Sequence, residues 1–351
     1  MGGNKPSRSP VAIIMAGGSG TRFWPLSQKN TPKQYLRLSG PHSLIQQTIA
    51  RIGKVCKLSD TFICSGKSQF ALIKEQLPDV SGLILEPQAR NTSACLMLSV
   101  SHLIKKGYSL ETPMMVFPAD HYIENEIRFE ELLKQAVSFS QKEPSLITLG
   151  IVPTSPHTGY GYIETEPQPY FETVLRAKRF TEKPQLEMAK EFLKKRHYYW
   201  NSGIFVWTIG TIVTAFEQFL SEQWKQIHAA QTDAEIASVF SILPSAPIDT
   251  AIMEKASNVF LIPADQLGWS DLGSWGALYD LKASKPGENI TLTGEVLTLG
   301  SEGCLVNVSP EMKVALIGTK NLIVVEHNGF LLISERSQDQ KVKEAAQHFD
   351  R

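Results

Sequence analysis

Three glycines, two hydroxyls and two cations near the start of the chain carry the first legible chemistry. Gly17 and Gly18 are followed by Ser19, Gly20 and Thr21, Arg22 comes next, and Lys33 stands eleven residues further on behind Pro32. A loop without Cβ atoms lets backbone N–H groups approach an anion closely. Two cations just beyond it suit a polyphosphate better than a single carboxylate. No Gly-Lys-Ser/Thr closes the loop, so it is not a Walker A loop. Gly18-x-Gly20 opens a dinucleotide fingerprint, but Phe23 holds the third glycine position and Pro25 denies an immediate helix. On glycines alone a plain tight turn is the competing reading; Arg22 and Lys33 favour phosphate.

Asp120 follows the apolar run Met114-Met115-Val116-Phe117 and the pair Pro118-Ala119. A carboxylate just past a strand's carboxyl end is well placed for Mg²⁺, and a turn cap is the alternative. Asp271, in Gly268-Trp269-Ser270-Asp271-Leu272-Gly273-Ser274-Trp275, reads by itself as an N-cap of the next helix. Asp249 reads as structural or as support for a neighbour, and His121 as a structural loop residue. Gly159 and Gly161 beside Glu164, then Glu182-Lys183, then Asn201-Ser202-Gly203, offer acceptors, an amide and a cation to a polar ligand. Each has a bland alternative: a surface ion pair for Glu182 and Lys183, a turn for residues 201–203.

These residues need elements to hold them. Residues 11–16 are apolar and strand-like, 43–52 and 69–77 helical, 61–64 and 83–85 strands. Asn91 is a plausible N-cap for a helix to about residue 106. A strand over 113–117, a helix over 124–140 and a strand over 146–152 follow. This alternation predicts an α/β, Rossmann-like, mostly parallel sheet with helices on both faces. Ligands then sit at the carboxyl ends of the strands, where the loops from Gly17, Glu86 and Pro118 meet. Residues 159–207 read as strands of a smaller lobe, 209–254 and 273–282 as helices, and the chain from 287 as short strands before a last helix from about Asp339. Lys285-Pro286-Gly287 marks a boundary. The expected division is a flexible lead-in over 1–9, an α/β domain over 10–285 and a β-rich domain over 286–351.

Composition removes several function classes. Lys and Arg total 35 against 35 for Asp and Glu, so bulk charge offers nothing to nucleic acid. The four cysteines form no C-x-x-C pair, which argues against a zinc site or a disulfide framework and for a reducing, cytoplasmic setting. The first apolar run is six residues, too short for a secretory signal or a membrane span, and Pro6 spoils a myristoylation reading of Met1-Gly2.

The run from Gly17 to Ser27, with Pro32-Lys33-Gln34, resembles the signature of the sugar-1-phosphate nucleotidyltransferases. Phe117-Pro118-Ala119-Asp120-His121 and Gly268-Trp269-Ser270-Asp271 are similar to that family's two metal motifs, and the segments around Gly159, Glu182 and Asn201 follow its sugar-binding motifs in order. The resemblance spans roughly residues 11–335. It implies the nucleotidyltransferase fold with a β-solenoid-like tail that is a natural homodimer surface. It implies Mg²⁺ on Asp120 and Asp271, with Arg22 and Lys33 as catalytic cations. A nucleotide site would comprise Ala16, Gly17, Gly18, Ser19, Gly20, Thr21, Glu86, Asn91 and Thr92, and a sugar-phosphate site Gly159, Glu164, Glu182, Lys183 and Asn201. Glu86 could accept from guanine N1–H and the 2-amino group or point at the ribose; Arg90 is taken as a surface charge. The Trp24-Pro25-Leu26-Ser27 and Trp-Ser-Asp spellings look like the branch that uses GTP and mannose 1-phosphate. Another hexose 1-phosphate, or UTP or dTTP, stays open. So does a catalytically silent sensor, whose mark would be loss of Arg22, Lys33, Asp120 or Asp271; all four are present. Longer relatives carry a fused cupin-type isomerase domain, for which this chain ends too soon, so a single activity is expected.

Overall fold

The computed structural model describes residues 9–18, 20–80 and 82–349. The lead-in expected over 1–9 therefore lies, apart from Ser9, outside the described residues. The chain forms two compact units. One comprises the residues to Gly17 with Ile49–Ala119 and Ile123–Gly268; the other comprises Gly18–Thr48, Asp120–Tyr122 and the chain from Trp269 onward. The contacts thus divide the chain at other points than the 285/286 boundary read from the sequence.

The first unit is built on a nine-stranded sheet. Its strands are β1 (Val11–Met15), β2 (Thr61–Gly66), β3 (Gly82–Glu86), β4 (Pro113–Pro118), β5 (Leu146–Ile151), β6 (Tyr162–Thr165), β7 (Leu175–Thr181), β8 (Tyr198–Thr208) and β9 (Val259–Pro263), in spatial order β3-β2-β1-β4-β8-β5-β9-β7-β6. β1 is parallel to β2 and β4, with Ile13 opposite Phe62 and Val116. Side chains alternate between faces along each strand. Val11, Ile13 and Val116 join one core with the buried side of α1 (Asn91–Lys105). Phe117 turns to the other face and meets Phe129 of α2 (Glu126–Lys142) edge-on at 6.1 Å between ring centres. Helices therefore cover both faces. The start of α2 falls later than the periodicity suggested because the Asn125 side chain caps it, accepting from Arg128 N at 3.0 Å.

The sheet is mixed, which corrects the mostly parallel expectation. β8 runs antiparallel to both β4 and β5, and β6 and β7 are antiparallel to each other. β8 is eleven residues long; its first part pairs with β6 and its last part with β4. Gly203, at φ 70°, lies where the pairing with β5 shifts register. Apolar alternation reports that a strand exists and which side is buried, but not its direction, so the reversal left no trace in the pattern.

Among the described residues the second unit holds, besides the two-residue strand Trp269–Ser270, the strands β10 (Ile290–Thr293), β11 (Glu295–Leu299), β12 (Leu305–Asn307), β13 (Lys313–Ile317), β14 (Leu322–His327) and β15 (Phe330–Glu335). β10, β12 and β14 form a parallel ladder, β11 and β13 a second one, and β15 closes antiparallel on β14. Helices α3 (Trp275–Lys282) and α4 (Val342–Phe349) complete the unit, the latter after a 3₁₀ segment at Arg336–Lys341. Phe23, Leu44, Trp275, Leu305, Ile323 and Val342 share its core. No helix among the described residues is long and apolar enough to cross a membrane.

Candidate active site

In the second unit, the glycine loop is built around a close approach. Gly20 has φ 62°, and a Cβ there would lie 2.1 Å from Lys33 Cβ. Only glycine satisfies both conditions. Ser27 Oγ donates to Gly20 O at 2.6 Å, and Gln34 Nε2 to Gly18 O at 3.1 Å, so both sides of the turn are tied down. Thr21–Phe23 then form a 3₁₀ turn that presents Arg22. Phe23 packs on Trp275 with ring centres 5.0 Å apart, and the Trp275 indole donates to Trp24 O at 3.1 Å. Ser19 lies outside the described residues.

Lys33 is buried, yet its ammonium is satisfied. Nζ lies 2.8 Å from Asp120 Oδ2 and donates to Asp271 O at 2.6 Å. Burial would raise the Asp120 carboxyl, but the Lys33 ammonium and then His121 outweigh it and hold it below the usual carboxylate value. Asp271 is not a helix cap: Ser274 Oγ accepts from Ala277 N to start α3, while Asp271 Oδ1 accepts from Gly273 N at 3.1 Å. The His121 ring accepts from the Trp269 indole at 3.2 Å, and His121 also lines the same cavity as Lys33. Thr21, Arg22, Lys33, Asp120 and Asp271 all line one cavity of about 300 Å³, and Lys343 of α4 lines it too. Two hard carboxylates at one cavity match what Mg²⁺ selects. An ammonium seated on Asp120 and on the Asp271 carbonyl shows that a cation fits there.

In the first unit, Glu86 ends β3 and is 5% exposed. A Cβ on Gly17 would stand 3.2 Å from Glu86 Oε2, so the glycine lets the carboxyl lie against the backbone after β1. Ala16 N donates to Cys64 O at 2.8 Å and holds that backbone in the sheet. Glu86 Oε1 has no hydrogen-bond partner among the described residues. Burial pushes this carboxyl from the ordinary 4.5 up to about 7. Asn91 does not cap α1. It sits at φ 66° as the first helical residue, and among the described residues its Oδ1 accepts from Thr92 N, at 2.8 Å. Thr92 Oγ1 accepts from Ile248 N at 2.8 Å. Arg90 is no loose surface charge: its guanidinium donates to Phe240 O at 2.8 Å and Ser241 O at 2.7 Å, fastening this loop to a helix end.

The same unit gathers most of the residues read as sugar-binding. Glu182 and Lys183, just past β7, form an ion pair at 2.7 Å. A Cβ on Gly161 would fall 2.6 Å from Glu182 Oε2. Asn201 on β8 donates to Asp249 Oδ1 at 2.8 Å, and its Oδ1 accepts from Thr148 Oγ1 at 2.9 Å. Burial, then the nearby Glu182 carboxylate, pushes Asp249 up to about 6. Asp249 thus contacts this cluster from a π-helical turn, Asp249–Met253. Glu164 stands differently: it accepts from Tyr198 OH at 2.8 Å and Lys178 Nζ at 3.3 Å. Gly159 N donates to His157 Nδ1 at 3.1 Å. Lys343 was missed by sequence reasoning altogether, because an exposed lysine on a terminal helix carries no local signal.

Residues 11–286 match the family model described as nucleotidyl transferase. The chain is 35% identical to the mannose-1-phosphate guanylyltransferase of Escherichia coli, over 96% of its own length and 73% of that protein's. It is 32% identical to the alginate biosynthesis protein AlgA of Pseudomonas aeruginosa, over 97% of the chain and 72% of that protein. Among solved structures, one described as mannose-1-phosphate geranyltransferase, from Thermus thermophilus, is similar over 98% of this chain and all (100%) of its own, with 30% identity and a TM-score of 0.89.

Proposed function

The chain belongs to the nucleotidyl transferase family, and we propose that it transfers GMP from GTP to mannose 1-phosphate, releasing GDP-mannose and pyrophosphate. The observation that carries this reading is the cavity that holds Lys33, Asp120 and Asp271 beside the Arg22 turn. The names of the relatives supply the substrates. A phosphate oxygen of the sugar phosphate attacks the α-phosphorus, and the bond to the β-phosphate breaks, with pyrophosphate taking the electron pair. An ionised phosphate is already a nucleophile, so the protein needs no general base; its work is positioning and charge stabilisation. Arg22 and the backbone of the glycine loop hold the triphosphate. Lys33 leaves its ion pair to neutralise charge on the reacting phosphates. Asp120 and Asp271 would hold Mg²⁺, which when bound supplies positive charge to the phosphate oxygens.

Glu86, as a carboxylate, accepts from guanine N1–H and the 2-amino group, a pattern uracil and thymine lack. Glu182 and Asn201 take sugar hydroxyls, Lys183 takes the sugar phosphate, and the Gly159 segment gives close backbone approach. Glu164 takes a sugar hydroxyl once it gives up one of its hydrogen bonds to Tyr198 and Lys178. Alternation of β10 to β14 between two parallel ladders supports reading the tail as β-solenoid-like; a homodimer through that face and a cytoplasmic setting are carried over from the sequence reading. The test is pyrophosphate release with Mg²⁺, crossing five nucleoside triphosphates with mannose 1-phosphate and glucose 1-phosphate. Release chiefly with GTP and mannose 1-phosphate is expected. Release with another pair would keep the mechanism and discard the role of Glu86.

A further inference from the structure

Helix α4 brings to the phosphate cavity a cation that the reading above does not use. It is fastened to the end of the glycine loop: Phe349 stacks on Trp24 with ring centres 5.4 Å apart, and Val342 and Ala346 are buried in the core of the unit. Lys343, next to Val342, lines the cavity together with Thr21, Arg22, Lys33, Asp120 and Asp271. Lys33 is neutralised by Asp120. Lys343 is exposed and makes no hydrogen bond or ion pair with any described residue.

We infer that Lys343 binds the polyphosphate chain of the nucleotide and the pyrophosphate that leaves, so that the C-terminal helix completes the phosphate site. The inference rests on the transferase reading. Charge counting supports it. A nucleoside triphosphate brings roughly four negative charges at neutral pH. Set against one divalent ion, two aspartates, Lys33 and Arg22, roughly two negative charges stay uncompensated, and an exposed ammonium at the cavity wall takes up one of them. As the bond to the β-phosphate breaks, negative charge grows on the departing pyrophosphate, which is where such a cation gains most.

Lys343→Ala and Lys343→Arg would be compared with wild type and with Lys341→Ala, an exposed lysine outside the cavity that controls for net charge. KM would be measured for GTP and mannose 1-phosphate forwards, and for pyrophosphate and GDP-mannose in reverse, at low and high salt. Loss of one charge contact raises KM for GTP and for pyrophosphate about tenfold, more at low salt. KM for mannose 1-phosphate stays within about twofold, Lys343→Arg restores most of the loss, and Lys341→Ala behaves as wild type. A KM for pyrophosphate within about twofold of wild type in Lys343→Ala, or an equal change in Lys341→Ala, overturns the inference. Calorimetric binding of inorganic pyrophosphate to the same proteins keeps the tests separate. A wild type that binds pyrophosphate but turns over no substrate pair would sink the transferase reading while still testing Lys343.

Discussion

Glu86, read as a nucleotide-binding residue, is buried with a carboxyl oxygen that has no hydrogen-bond partner among the described residues. Its folded value of about 7 stands above the ordinary 4.5, and burial is the cause. Between those two values the folded protein keeps a proton that the unfolded chain has lost. Stability therefore falls as pH rises through that window, and above it the group costs about 3 kcal/mol. Glu86→Gln removes the titration. Its urea midpoint should match wild type near pH 4.5, exceed it at pH 8, and flatten the profile between. The same variant should lose discrimination between GTP and ITP, which lacks the 2-amino group, measured as the ratio of their kcat/KM values. An unchanged ratio would place Glu86 at the ribose or away from the nucleotide.

At the scale of the element, the glycine loop and Lys33 are one object. The loop turns left-handed at Gly20 so that its backbone can pass over the stem of Lys33, whose head meets Asp120 and Asp271. Gly20→Ala adds a Cβ at a position with no room and a φ that alanine resists. The left-handed strain and overpacking together cost about 2–4 kcal/mol. A lowered Tm should accompany a loss of kcat, since either the loop or Lys33 must move. An alanine variant with normal kcat would show that the loop and the lysine move independently.

Across the whole molecule, the second unit is assembled from stretches far apart in sequence. Trp24 packs edge-on against Phe330 at 5.3 Å and face-on against Phe349, residues that lie three hundred positions later. Its burial, 2% exposed, makes it the clasp between the loop and the β-rich tail. Trp24→Ala should cost about 3–5 kcal/mol, as truncation of a buried aromatic does. Because α4 carries Lys343, KM for pyrophosphate should rise in the same variant. Thermal unfolding and the reverse reaction together check both parts.

What the sequence determined by itself is what local pattern encodes. The strand before Gly17, the glycine turn that follows it and the acidic residue after β4 are each carried by a few adjacent residues, and the motifs follow one another along the chain. The family membership follows from them. Tertiary structure decided what depends on residues meeting from afar. The direction of β8 is invisible to a two-residue period. Arg90 looked like a surface charge until two carbonyls of a distant helix end were beside it. Asp249 joined Asn201 only when β8 and a π-helical turn came together. Asn91 failed as a cap because its backbone is left-handed, which its residue type allows but does not announce. Lys343 reached the cavity only because Trp24, Phe330 and Phe349 fasten the last helix to the first loop. Such contacts follow from burial summed over the whole unit, and no short window of sequence contains them.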